Sequence, residues 1–81
     1  MSNQIIIYTQ ETCPPCHEQK LWFKDNNITF EERDIRKNPK YVDELIALGA
    51  AATPVTVVKG NLGEEVIFGF DLEKLTKYKG V

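Results

Sequence analysis

Tyr8 to Gln19 read YTQETCPPCHEQ, a stretch that holds both cysteines and the only histidine of the chain. Its centre, Cys13-Pro14-Pro15-Cys16-His17, fits a Cys-x-x-Cys redox pair, the Cys-x-x-Cys-His spacing of a c-type haem attachment site, and half of a zinc site. The flanks have to decide. Upstream, QIIIYT over residues 4–9 is a β-branched run of the kind that forms a strand buried on both faces. QET then makes a loop. Downstream, a helix starts at Cys13, with Pro14 and Pro15 in its first turn, where a missing N–H forfeits no helical hydrogen bond. It runs to about Asp25, and DNN over residues 25–27 ends it. Leu21, Trp22 and Phe23 are adjacent rather than helically spaced, so this helix is read mainly from its ends.

Further along, ITFEERDI over residues 28–35 alternates Ile28 and Phe30 before turning polar and reads as a second strand. Asn38 caps a second helix with Pro39 at its first position. Val42, Leu45, Ile46 and, less regularly, Leu48 supply its apolar face, and Gly49 ends it. PVTVV and EEVIFG are strands joined by the turn-rich KGNLG over residues 59–63, a hairpin. Asp71 caps a final helix in which Phe70 staples onto Leu75, and Gly80 closes it. The order β-α-β-α-β-β-α marks an α/β chain whose first half is a parallel βαβ unit and whose second half is an antiparallel hairpin followed by a helix. Parallel strands need a crossover, here a helix, so the cysteines begin that crossover. Cys13 therefore sits at the C-terminal edge of the first strand and at the N-terminus of a helix.

Eighty-one residues are read as one domain, 1–81, with a core close to the lower limit for independent stability. The formal charge of −2 gives no electrostatic reason to expect nucleic acid or an anionic membrane as a partner. The opening MSNQIIIYTQ has no basic segment, and its apolar run, Ile5 to Tyr8, is too short for a secretory signal or a membrane span. The expectation is a cytoplasmic chain. In that reducing compartment two close cysteines are catalytic or metal-binding more often than they are a structural staple.

A disulfide oxidoreductase needs one accessible thiol that ionises near neutral pH and a second within reach to resolve the mixed disulfide. A helix N-terminus, with its partial positive charge and free N–H groups, favours a thiolate at Cys13. Cys16, one turn in, faces the interior and is placed to attack the mixed disulfide. Pro14 and Pro15 carry no N–H, so Cys16 supplies the first donor available to a Cys13 thiolate. The Cys13 thiol is thus expected to be acidified less than with donors at both positions. That means thioredoxin-like behaviour, with a reduction potential near about −270 mV.

The other chemistries lack partners. A c-type haem needs a second axial ligand, and the chain offers only Met1 beyond His17. A closed zinc site takes four ligands, and two cysteines with one adjacent histidine supply too few unless the site is shared across a dimer. His17 is assigned no role.

With CPPC on the first strand-to-helix turn, a second segment becomes informative: AATPVTVV, with Pro54 at the start of the third strand. IIIYT, ETCPPC, the TP before VTVV, and GFD after the fourth strand, taken in that order, resemble the glutaredoxin family over essentially the whole chain. The resemblance implies a thioredoxin-like (glutaredoxin) fold: a four-stranded mixed sheet flanked by three helices. It implies that Pro54 is cis and packs beside the sulfurs, and that Thr53 offers its backbone to an extended substrate as an added strand. It also implies that Gly69 and Asp71 correspond to a segment that binds the γ-glutamyl end of glutathione in members that use it, although Asp71 is equally a plain helix cap. Those members usually carry Lys at the position of Gln10, an aromatic residue at that of Pro15, and Gln or Arg where this chain has Ala50, Ala51 and Ala52. A tripeptide with two carboxylates needs cations. The segment GxxxxPVxxV over residues 49–58 and the GF before Asp71 look closer to NrdH-type redoxins, glutaredoxin-sized proteins that behave like thioredoxin and pass electrons to ribonucleotide reductase.

The resemblance therefore implies a monomeric dithiol reductant of protein disulfides with no bound cofactor. A flavin thioredoxin reductase with NADPH, or less readily glutathione, would recharge it. A glutathione-dependent glutaredoxin, and a module that binds a peptide or an iron–sulfur cluster in the groove beside Pro54, are the alternative readings.

Overall fold

The β-branched run behaves as its composition dictates. In the computed structural model, which describes residues 4–60 and 63–78, β1 spans Gln4–Thr9, and Ile5, Ile6, Ile7 and Tyr8 are all buried. α1 (Pro14–Asp25), β2 (Glu31–Asp34), α2 (Pro39–Ala47), β3 (Val55–Gly60), β4 (Gly63–Phe68) and α3 (Leu72–Leu75) follow, and a 3₁₀ turn over Thr76–Tyr78 continues α3. The strands form one mixed sheet in the order β2-β1-β3-β4. β1 runs parallel to β2 and antiparallel to β3, and β3 pairs antiparallel with β4.

Alternation along β1 splits the core in two, because successive side chains leave a strand on opposite faces. Ile5 and Ile7 join Phe23 of α1, Val58, Ile67 and Leu75 of α3 on one face, with Trp22, Phe30, Phe70 and Tyr78 at its edge. Ile6 and Tyr8 join Val55, Val57 and Leu45 of α2 on the other. The sheet is thus covered on both faces, as parallel pairing requires.

Three details differ from the sequence reading. The second strand is shorter, beginning at Glu31 rather than Ile28. The Ile28 N–H donates to the Phe23 carbonyl at 2.8 Å, and Asn27 takes a left-handed φ of 56° to turn the chain there. Ile28 is therefore folded back onto the end of α1 and is not available for the ladder. On α2, Ile46 is 64% exposed. The helix meets the sheet along Tyr41, Leu45 and Leu48, spaced i, i+4, i+7, which turns Ile46 to solvent. The last helix is one short turn that passes into the 3₁₀ turn. Its expected end at Gly80, and the hairpin turn at Asn61-Leu62, lie outside the described residues.

The caps fall where the sequence puts them. Asn38 Oδ1 accepts the Lys40 N–H at 3.0 Å and Asp71 Oδ1 the Lys74 N–H at 3.2 Å. Gly49 ends α2 with a φ of 85°, the left-handed conformation that favours glycine. Edge strand β2 is tied to α2 by Arg33, whose guanidinium reaches Glu31 at 2.6 Å, Glu44 at 2.8 Å and the Tyr8 hydroxyl at 3.1 Å.

On edge strand β4, the Tyr78 hydroxyl donates to the Glu65 carboxylate. Burial first, and the hydrogen bond to Glu65 second, push the Tyr78 pKa from 10.0 up to about 12. A phenol whose pKa is higher in the folded state stabilises the fold fully below its unfolded pKa and loses that contribution as pH rises through the folded one. The thermal midpoint should therefore fall between pH 10 and 12. Tyr78→Phe should flatten that fall, leaving the part due to Tyr8, which burial and Glu44 also shift upward.

Candidate active site

Strand register gathers the site. Tyr8 pairs with Val55, so the residues that follow β1 and those that precede β3 emerge at the same end of the sheet. Val55 also pairs with Phe68, which brings the segment after β4 to that end. Three loops therefore converge there: 10–13, 50–54 and 69–71. Two hydrogen bonds tie them. Gln10 Nε2 donates to Thr53 Oγ1 at 3.2 Å, and the Gly69 N–H donates to the Pro54 carbonyl at 2.8 Å. The Thr53-Pro54 peptide is cis, and Pro54 is fully buried. Gly69 has a φ of 79°, and a Cβ there would meet nothing within 4 Å, so backbone conformation rather than space calls for glycine.

Cys13 is the N-cap of α1, with φ −112° and ψ 101°. Its Sγ accepts the Cys16 N–H at 3.3 Å, and its own N–H donates to the Gln10 carbonyl at 3.2 Å. The sulfur therefore occupies the place a serine or aspartate oxygen takes in an ordinary cap, at the positive end of the helix dipole. Pro14 and Pro15 occupy the first two helical positions and donate nothing. Cys13 and Cys16 are joined as a disulfide with their Cα atoms 5.2 Å apart. Cys16 is completely buried, and Cys13 is only 8% exposed, so the accessible thiol expected from the sequence is in this oxidised form a small opening beside the loops rather than an open surface.

The remaining candidates separate. Thr53, Pro54 and Gly69 lie at the same end of the sheet as the disulfide. The Asp71 carboxylate is engaged as the cap of α3. The ring nitrogen Nε2 of His17 lies 2.9 Å from the Glu11 carbonyl, and the residue is exposed. Among the described residues, no group of three or more His, Cys, Asp and Glu side chains is placed to hold a metal ion. Segments 10–12 and 50–53 carry no lysine or arginine.

Two polar groups near the site were not singled out from the sequence. Thr9, fully buried at the end of β1, donates to Glu32 at 2.8 Å, and Lys20 of α1 pairs with the same carboxylate at 2.7 Å. Burial alone would raise the Glu32 carboxyl, but the hydrogen bonds from Lys20 and Thr9 outweigh it and hold the group below its ordinary pKa. Gln19 of α1 is also fully buried, and its Nε2 donates to Thr56 Oγ1 on β3. The spacing Cys16, Gln19, Phe23 carries a signal for it: positions i, i+3 and i+7 share a helix face.

Comparison with known proteins gives consistent results. The family described as Glutaredoxin matches residues 5–62. The glutaredoxin-like protein NrdH of Lactococcus lactis is 31% identical over 51 residues, which cover 63% of this chain and 71% of that one. A crystal structure of a thioredoxin-like protein superposes with a TM-score of 0.81 at 37% identity, covering 93% of this chain and 99% of the other. The Escherichia coli NrdH-redoxin shares the fold, with a TM-score of 0.82 at 24% identity over 96% of this chain and 97% of that one.

Proposed function

The chain belongs to the glutaredoxin family, among its NrdH-type members, and from that premise we propose that it is a dithiol reductant of protein disulfides. The observation that carries the reading is the asymmetry of the pair. Cys13 Sγ sits at a helix N-terminus with one backbone donor, from Cys16, while Cys16 is sealed behind it. One sulfur is favoured as thiolate and keeps a small opening to solvent; the other, fully buried, is placed to act on the first.

In the proposed cycle the Cys13 thiolate attacks one sulfur of a substrate disulfide. A Cys13–substrate bond forms, and the other substrate sulfur leaves as a thiolate that takes a proton from solvent. The substrate chain lies extended along Thr53-Pro54, pairing with the Thr53 backbone, with Gly69 and Asp71 bordering the groove. Cys16 then gives up its proton and attacks Cys13 Sγ. The Cys13–Cys16 bond re-forms, and the second substrate sulfur departs, so two electrons have passed to the substrate. NADPH through a flavin thioredoxin reductase restores the dithiol, and ribonucleotide reductase is the proposed electron acceptor. No bound cofactor is needed, and the protein works as a cytoplasmic monomer.

The absence of cations in 10–12 and 50–53 supports a protein substrate over glutathione, whose two carboxylates would find no partner in those segments. The oxidised protein should be reduced faster by NADPH with thioredoxin reductase than by NADPH with glutathione and glutathione reductase. A faster glutathione arm would instead place it among the glutathione-dependent members.

A further inference from the structure

The buried stripe of α1 is Cys16, Gln19 and Phe23, and its middle member is polar. Gln19 has no exposure at all. Its Nε2 is engaged by Thr56 on the strand below, while Oε1 is the only buried side-chain polar atom without a hydrogen-bond partner among the described residues. An orphaned acceptor in a core is destabilising, and glutamine is rarely chosen for such a position. The cost falls one helical turn from Cys16, which is equally buried, on the same helix face.

We infer that Gln19 is a positioning residue of the redox pair, its free amide oxygen accepting the S–H of Cys16 when the disulfide is reduced. The inference rests on the proposed redox role of the two cysteines. Reduction by a dithiol places two electrons in the Cys13–Cys16 bond, which breaks. Cys13 is left as thiolate, and Cys16 takes one proton from solvent and becomes a thiol. That thiol is a donor sealed from water, and Oε1 is an acceptor left open in the disulfide form. The contact exists only in the reduced state, so it stabilises that state and makes the pair less reducing than its scaffold would otherwise be. Stabilising the dithiol in this way makes the disulfide form a better oxidant.

The test is equilibration of the oxidised protein with a reference dithiol such as dithiothreitol, comparing wild type, Gln19→Met and Thr56→Val. Methionine keeps the length of the side chain and removes the orphan oxygen. It should shift the equilibrium toward the disulfide about tenfold, or about 30 mV more negative for this two-electron couple. Thr56→Val removes the partner of Nε2 and should lower stability while leaving the equilibrium within about twofold, because a loss common to both redox states cancels. An equal shift in both variants, or none in Gln19→Met, overturns the inference. A wild type that does not equilibrate with the dithiol overturns the redox reading beneath it as well. If Gln19→Met fails to fold, the Gln19 side-chain carbonyl ¹³C resonance of the wild type decides: it should move on reduction as Oε1 gains a donor, and an unchanged resonance contradicts the contact.

Discussion

Cys13→Ser is expected to bring the reduction of insulin disulfides down to the uncatalysed background, while Cys16→Ser is expected to stall the protein as a covalent mixed disulfide. The difference follows from position. Cys13 is the helix cap whose sulfur receives the Cys16 N–H, and it is the one of the pair with an opening to solvent. A serine hydroxyl there is not ionised at neutral pH and forms no sulfur–sulfur bond, so the first step is lost outright. Cys16 has no exposure, and its sulfur is bonded to Cys13. Removing it leaves the attack intact and takes away the resolving thiol. Mass spectrometry of each variant after incubation with a disulfide substrate reads this directly: an adduct at Cys13 in Cys16→Ser and none in Cys13→Ser. Insulin reduction by Cys13→Ser would rule the mechanism out.

The largest expected effect on stability is at Phe23. Its ring is 1% exposed, and it packs against Phe30 with centroids 5.0 Å apart and against Trp22 at 5.8 Å. It anchors the far end of the buried stripe that carries Cys16. Phe→Ala at such a site costs about 3–5 kcal/mol. An 81-residue chain is stable by about 4–12 kcal/mol in total, so most of a modest reserve would go. Urea denaturation should show the midpoint falling with the slope unchanged. Leu21→Ala, two residues earlier, should change stability by less than about 0.5 kcal/mol, because Leu21 is 59% exposed. Equal effects at the two positions would mean that α1 is rotated from the orientation described.

That pair of neighbours also shows how far the sequence could be read. Element order, both proline-primed helix starts, the Asn38 and Asp71 caps and the Gly49 stop were legible because each depends on local chemistry at fixed offsets. The convergence of Cys13, Thr53-Pro54 and Gly69 was legible only through the resemblance of the ordered motifs, since strand register is a non-local property. The burial of α1 was harder. Leu21, Trp22 and Phe23 are adjacent and compete for one face, and the winner is set by where Cys16 must point. Gln19 follows from the same rotation, but a glutamine in mid-helix ordinarily reads as solvent-facing. On α2 the error at Ile46 arose because Tyr41, a partly polar residue, takes the core-facing position. Ahead of β2 the apolar Ile28 and Phe30 look like strand, yet Ile28 belongs to the helix end and Phe30 packs on Phe23.

The central claim, that a helix-capping cysteine with a single early donor makes this pair a thioredoxin-like reductant, meets its most direct test in the reduction potential of Cys13–Cys16. Equilibration against a reference dithiol at pH 7 should give a value near about −270 mV; one above about −180 mV, in the range of isomerases and oxidants, would contradict it.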